Sequence, residues 1–361
     1  MRHVFAILLL TTLGIAQTFI VDAAGGTGSQ FTSIAAAVAA VPSGAVLQVR
    51  AGIYAPFSIV GKGVSILGLG GVLISGTFFA PVTITVSGTS GSQSVVLRDL
   101  FLSVPLGGPH RIDCSNCQGP VLIQRVGMDM TYGAIREIRA QQCSQLFVEA
   151  SGPFASIQGN ASIEVIGSKA VIQNCVAQSS AAGLRANISL VQIADCTLGG
   201  LPALQLNAAS VRIAGASTLL QGLGPTIHGS GNVLADPSVV TMGSVGGTIS
   251  YTVAGQSTVA ATGGSLGTPT NATMRGPAGH LGVLYLGSLG APQPIAGFQH
   301  DSWLAAGSGV AGALGVFGPP LTSSVPVPAN PLLLGSLFVW QGATYDPVAG
   351  FAASIPALLT P

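Results

Sequence analysis

Between residues 95 and 213, short apolar β-type runs recur at nearly constant spacing, and this repeat constrains the chain more than any other feature. The runs Val95-Val96-Leu97, Val121-Leu122-Ile123, Leu146-Phe147, Val171-Ile172, Val191-Gln192-Ile193 and Val211-Arg212-Ile213 carry apolar anchors at Leu97, Ile123, Phe147, Ile172, Ile193 and Ile213. Those anchors are spaced by 26, 24, 25, 21 and 20 residues. A second series, Ile112, Ile138, Ile163 and Ile188, is spaced by 26, 25 and 25. Self-similarity at such a period, in short strands with no helices between them, marks a solenoid whose coils bury their apolar faces on one another. The Leu-x-x-Leu-x-Leu and Asn pattern of leucine-rich repeats is absent. The expected architecture is a parallel β-helix.

The register makes sharper statements. Aligned on the isoleucines, Asp113, Arg139 and Glu164 share one position of three successive coils, and Arg111 and Glu137 share another. Two residues past the first anchors come Asp99, Arg125, Glu149, Asn174 and Asp195. Coils stack about 4.8 Å apart, so each column sets opposite charges on neighbouring rungs, where like charges would repel. In the same register Cys117 lies beside Cys143, and Cys175 beside Cys196. Adjacent rungs are within disulfide reach. They equally suit a ladder of small buried thiols, and both alternatives stand. Cys114 is left over; its lone C-x-x-C with Cys117 lacks the further ligands a zinc site needs.

Composition removes several function classes. Of 361 residues 48% are hydrophobic and only 6% charged, with net charge +1, which is not the footprint of a nucleic-acid binder. Mean hydropathy is +0.64, yet no uninterrupted apolar run reaches the roughly 18 residues of a spanning helix. Residues 1–16 read as a secretory signal: Arg2-His3, an apolar stretch Val4–Leu13, and the small-x-small site Gly14-Ile15-Ala16. The expected location is therefore secreted, extracellular or on the cell surface, with no transmembrane segment after signal cleavage. A glycine loop, Gly25-Gly26-Thr27-Gly28, precedes Phe31, Ile34, Val38 and Val41 at helical spacing. The third glycine of a dinucleotide fingerprint is missing, and the segment reads as a helix capping the open end of a solenoid.

Gly26-Thr27-Gly28, Ser33-Ile34-Ala35-Ala36-Ala37-Val38, Pro42-Ser43-Gly44 and Ala51-Gly52-Ile53-Tyr54 stand in the order that opens the first coil of secreted right-handed parallel β-helix proteins. The segment resembles the pectin-lyase-like superfamily over about 50 residues. That superfamily includes lyases, esterases, hydrolases and non-enzymes, so the resemblance implies a fold rather than a reaction. Beyond Arg212 only Asp236, Arg275, Asp301 and Asp346 are charged, and short strands at 248–253, 280–286, 303–305, 310–317, 332–341 and 351–359 alternate with Gly/Pro turns. This predicts a small antiparallel β-sandwich. The stretch from Pro326-Val327-Pro328 to Val339-Trp340-Gln341 resembles the terminal β domain of exported planctomycete-type bacterial proteins. The expected organisation is all-β, with a signal at 1–16, a right-handed parallel β-helix at 17–240 and the sandwich at 241–361. Trp303, Trp340 and Tyr345 sit at strand positions and are expected in the core rather than as sugar-stacking platforms.

Residues 98–164 hold 11 of the 23 charged residues, including Arg98, Asp99, Arg125, Asp129, Arg136, Arg139 and Glu149, with His110 beside them. In lyases of the resembled superfamily, carboxylates hold Ca²⁺ against a substrate uronate and an arginine or lysine abstracts the α-proton. That resemblance implies Asp99, Asp129 and Glu149 as metal ligands, Arg125 or Arg136 as base, and Arg98, Arg139 and His110 as substrate contacts. The polygalacturonase and pectin methylesterase signatures are absent, and each carboxylate already has a partner in the columns. The leading expectation is a non-catalytic, structural or polysaccharide-binding protein with no cofactor, facing extracellular polysaccharide or cell-surface components. A Ca²⁺-dependent polyuronate lyase is the alternative. A purely structural role, with the charge-poor terminal domain mediating attachment, is the third.

Overall fold

The computed structural model describes residues 17–76, 82–103, 110–128, 136–152, 154–156, 161–221 and 224–361. The chain is almost all β, and most of it winds as a parallel β-solenoid. Each coil contributes strands to three parallel ladders. The first, termed here the docked ladder, stacks Thr18–Val21, Ala45–Val49, Val64–Gly68, Val95–Arg98, Pro120–Gln124, Gln145–Glu149, Lys169–Gln173, Leu190–Ala194, 210–214, 231–235 and 249–253. The second, the charged ladder, stacks Ser58–Val60, Val82–Ser87, His110–Ser115, Arg136–Gln141, Ile163–Ile166, Leu184–Asn187, 204–207, 227–229 and 245–247. Short strands such as Gly52–Tyr54, Val72–Ser75 and Thr197–Gly200 form the third side.

Strand parity decides what each ladder buries. In the charged ladder Ile112, Ile138, Ile163 and Leu184 point inward on successive rungs. Polar residues point out, as in a sheet solvated on one face. Ile188, the expected fourth anchor, is instead 70% exposed at a bend with φ 48°, and Leu184 takes the inward place. The docked ladder is apolar on both faces. Leu97, Ile123, Val148, Ile172 and Ile193 fill the solenoid. Val46, Leu67, Val96, Leu122, Phe147 and Val171 face outward and are buried against the terminal part of the chain. Phe147 is therefore not an interior anchor; Val148 is, and the spacing runs 26, 25, 24, 21 and 20.

Parallel pairing continues through Val245–Val253, beyond residue 240 where the sequence pattern ends. The rest of the chain forms sheets that are antiparallel except where Phe298–Gln299 pairs with Gly350–Ala353. One contains Thr258–Gly263, Pro269–Arg275 and Leu321–Pro326. A larger one is built on Leu281–Pro294 and Phe338–Asp346. Val259, Met274, Leu284, Phe317 and Trp340 form an apolar cluster between them. A short helix, Ile34–Ala40, has Ser33 as its N-cap and sends Ile34, Ala37 and Val38 into the solenoid core. Lys62 Nζ donates to the carbonyls of Val38 and Val41 at its C-terminal end, both at 2.7 Å, as suits a cation there.

All five cysteines are buried and stand as free thiols. They share their columns with serines. Ser168 Oγ donates to the Ile166 carbonyl at 2.8 Å and accepts the Cys143 N–H at 2.8 Å. Cys196 Sγ donates to the Ala194 carbonyl at 3.2 Å and accepts the Cys175 N–H at 3.4 Å. Ser151 does the same for Glu149 and Val126. Ser151, Ser168 and Cys196 thus each satisfy a backbone N–H of the preceding rung. Ser168→Ala should thus leave the buried Cys143 N–H without a partner and destabilise by about 1–3 kcal/mol. Cys175→Ser, which keeps donor and acceptor, should stay within about 1 kcal/mol. Urea midpoints of the two variants test the contrast, and equal losses would contradict it.

Candidate functional site

Alternation along the charged ladder sets its polar residues on one outer face. Register places Asp113, Arg139, Glu164, Arg185, Gln205 and His228 on successive rungs of one column. Glu164 is paired on both sides: it accepts a hydrogen bond from Arg185 Nη1 at 3.2 Å and forms an ion pair with Arg139, whose Nε lies 3.3 Å away. Arg185 Nε continues the line to Gln205 Oε1 at 2.9 Å. In the neighbouring column Arg111 Nη2 meets Glu137 Oε2 at 2.9 Å. Glu137 is only 3% exposed, and burial raises its pKa above the ordinary carboxylate value against the opposing pull of Arg111. A further row runs Ser115, Gln141, Ile166, Asn187 and Asn207, polar at every rung but Ile166, and in it Asn207 Nδ2 donates to Asn187 Oδ1 at 2.8 Å. The two columns expected on this ladder are present, and Arg185 and Gln205 extend the one that starts at Asp113.

A second charged group sits at the bend after the docked ladder. Asp99 and Arg125 occupy adjacent left-handed positions, φ 57° and 50°. Arg125 Nε and Nη2 donate to the two Asp99 carboxylate oxygens at 2.6 and 2.7 Å. This bidentate contact raises the pKa of Arg125, the largest cause being the hydrogen bonds to Asp99. The next left-handed positions are Ala150, Asn174 and Asp195. Glu149 thus does not continue the Asp99–Arg125 column, because the outward placement of Phe147 shifts its rung by one residue.

Glu149 and Arg98 lie on the outer face of the docked ladder, under the terminal sheets. Arg98 Nη1 donates to the carbonyl and hydroxyl of Thr360 at 2.7 and 2.8 Å. Thr360 Oγ1 donates to Gln124 Oε1 at 3.2 Å, and Gln124 Nε2 donates to Glu149 Oε2 at 3.0 Å. Burial pushes Glu149 up to about 7 and pulls Arg98 down. Farther along the same seam, Lys169 pairs with Asp301 at 2.8 Å. Arg212 donates to Gln256 and to the Ala353 carbonyl. His300, which follows a strand of the larger terminal sheet, is held down to about 3 by burial and by Arg212, so the His300-Asp301 pair offers no proton near neutrality.

The residues that the lyase resemblance singled out fall into two groups. Arg98, Asp99, Arg125 and Glu149 lie near one another around the end of the docked ladder, while Arg139 stands apart. Arg98 Nε is 3.6 Å from Asp99 Oδ2, and the charge of Arg125 acts on both Arg98 and Glu149. Asp99 and Arg125 are at a bend, Arg139 is on the charged ladder, and Arg98 and Glu149 are beneath the terminal sheets. His110 and Arg136 are neighbours in register, with side chains outside the described residues, as is Asp129 entirely. Residues 1–16 also lie outside them. Among the described residues no three His, Cys, Asp or Glu side chains gather as a metal site would require, and no helix is long and apolar enough to cross a membrane.

The terminal sheets add a groove that sequence reasoning missed. Phe298 and Phe351 stack at 5.1 Å between centroids, and Tyr345 leans on Phe351 at 4.8 Å. With Leu281, Ile295 and Leu314 they line an apolar groove of about 380 Å³. Trp303 and Trp340 are fully buried, as expected of core residues, whereas Tyr345 is 37% exposed. Tyr345 and Phe351 face each other across one hairpin, but Phe298 comes from 47 residues before Tyr345, so no local pattern announces the groove. No protein-family model matches the sequence, and no curated protein matches it.

Proposed function

We propose that the protein is a non-catalytic, exported or cell-surface scaffold whose charged ladder binds extended polysaccharide. The observation that carries this reading is the continuous outer column Asp113, Arg139, Glu164, Arg185, Gln205 and His228, flanked by the row Ser115, Gln141, Ile166, Asn187 and Asn207, which is polar except at Ile166. A parallel sheet repeats its side chains every 4.8 Å or so, and a polymer of hydroxylated rings repeats its donors and acceptors along one axis. Because the charges neutralise one another along the face, recognition rests on hydrogen bonds rather than on net attraction. In the same reading the solenoid is a right-handed β-helix of the pectin-lyase-like kind, the helix at 34–40 is its cap, and the terminal sheets form a small sandwich. Residues 1–16 supply the export signal.

The state of the candidate catalytic groups favours binding over elimination. A base that abstracts a proton needs a pKa brought toward the working pH, whereas Asp99 moves Arg125 the other way. A calcium ligand must be ionised, whereas Glu149 is pushed up to about 7. The test is retention of the chain on a panel of immobilised acidic and neutral polysaccharides, with ultraviolet absorbance of unsaturated uronate ends followed with and without Ca²⁺. Retention on at least one polymer, at least tenfold weaker for Arg139→Ala/Arg185→Ala, with flat absorbance, is the expected result. A calcium-dependent rise in absorbance, or retention indifferent to the double substitution, overturns the reading.

A further inference from the structure

The two ends of the solenoid are finished differently. At the first coil, the free edge of Thr18–Val21 is covered by the chain that follows it. Gln30 N–H donates to the Ile20 carbonyl, Gln30 Oε1 accepts the Ile20 N–H, and Asp22 N–H donates to the Phe31 carbonyl at 2.9 Å. The helix at 34–40 then sets Ile34, Ala37 and Val38 into the core. At the last coil nothing equivalent occurs among the described residues. Val245–Val253 pairs with Ile227–Ala235 on one edge only, and the chain leaves it for sheets that pack along the flank of the solenoid rather than over its end.

That last strand carries the residues another rung would bury. Val245, Tyr251 and Val253 stand in register with Ile227, Val233 and Ala235, all at most 1% exposed. Val245 itself is 39% exposed and Val253 56%, while Ile249 and Tyr251 are only half-buried at the rim of the core. Beside them Val240 and Met242 on the third side are 49% and 53% exposed. The strand Val245-Gly246-Gly247-Thr248-Ile249-Ser250-Tyr251-Thr252-Val253 has no charge and no proline, the devices that normally blunt a sheet edge. No charged residue occurs between Asp236 and Arg275.

We infer that this end is an interface, and that its occupant is the same end of a second copy of this chain. Three observations favour a copy over other occupants. The surface continues an interface the chain already uses at every coil, an unpaired strand edge backed by interior apolar side chains. Its neutrality means that two identical ends meet without like charges. The covered first coil offers no matching edge, so head-to-tail stacking into a filament is disfavoured and a closed two-fold pair remains. Across the two-fold axis the Val245–Val253 strands run antiparallel and join the two solenoids end to end.

The experiment is the solution mass of the whole chain, by light scattering and sedimentation from about 1 to 100 μM. A dimer is expected. Val245→Lys/Val253→Lys alters only exposed positions and should give monomer with the circular dichroism and unfolding midpoint unchanged to within a few degrees. Leu314→Lys, on the other exposed apolar surface (71% exposed), should leave the dimer intact. A Ser250→Cys chain should cross-link as a dimer under mild oxidation, when wild type does not. A wild-type monomer at 100 μM, or a dimer broken by Leu314→Lys and untouched by the two lysines at 245 and 253, overturns the assignment.

Discussion

Trp303→Ala should destabilise the protein by about 3–5 kcal/mol, the range for truncating a large, fully buried aromatic side chain. Trp303 has no exposed surface and meets Phe147 edge-on, with centroids 5.0 Å apart and planes at 69°. Phe147 belongs to the solenoid and Trp303 to the terminal sheets, so the pair joins two parts of the chain separated by 156 residues. Around it Leu122, Val171, Val339, Ile355 and Leu358 complete one cluster. Phe147→Ala should cost nearly as much. The double variant should lose less than the two losses added, by about 1 kcal/mol, because aromatic pairs in this geometry couple beyond their buried area. Urea titration measures all three. Strict additivity, or a loss under 1 kcal/mol or so for Trp303→Ala, would mean that the solenoid and terminal sheets do not share a core.

Glu149→Gln should stabilise the protein above neutrality and do nothing in acid. The folded pKa of Glu149, about 7, lies above its ordinary value of 4.5 because burial disfavours the carboxylate. The folded state then holds a proton that the unfolded chain has released across that window. The associated stability is fully present below pH 4.5, is lost as pH rises toward 7, and stays lost above it. Glutamine keeps an oxygen for Gln124 Nε2 and has no charge to bury. With part of the side chain still reached by solvent, the gain at pH 8 should be about 2 kcal/mol. His300 acts in the opposite sense. Held down to about 3, it takes up a proton only on unfolding, so its contribution is lost as pH falls below 6.5. The difference between wild type and Glu149→Gln at each pH isolates Glu149. A gain independent of pH from 4 to 8 would contradict the assignment.

The solenoid was legible because its interior is periodic. One isoleucine per coil at 112, 138 and 163 fixes the register of the charged ladder, and the ion pairs Arg111–Glu137 and Arg139–Glu164 follow from it. The misplacements of Phe147 and Glu149 have one physical origin. Docked-ladder strands such as Val121-Leu122-Ile123 and Leu146-Phe147-Val148 are apolar on both faces, so alternation cannot say which residue points inward. A one-residue slip then exchanges Phe147 with Val148 and misplaces Glu149. Ile188 failed for a different reason: an apolar residue occupies a left-handed bend and Leu184, four residues earlier, does its work. The doubly apolar runs were themselves a sign that something covers the outer face. What covers it comes from residues 258–360, and no spacing within the solenoid encodes so distant a partner. The aromatic groove of Phe298, Tyr345 and Phe351 was hidden by the same non-locality.

Flank docking also dictates an order of events. Val46, Leu67, Val96, Leu122, Phe147 and Val171 lie early in the chain, while their covering residues Trp303, Val339, Ile355 and Leu358 come from its last fifth. A ribosome builds from the N-terminus, so the coils can wind rung by rung while an oily strip along one side stays bare until the final residues emerge. A stack of coils alone would fray from its ends, since each rung answers only to its neighbours. The late-arriving sheets grip rungs from Val46 to Arg212 at once and so act as a splint, turning a string of locally stable units into a body that should melt as one. The nascent chain is most prone to self-association just before that splint closes. Loss of the last three residues, which include Leu359 and Thr360, should therefore reduce soluble yield more than it reduces the midpoint of whatever protein survives.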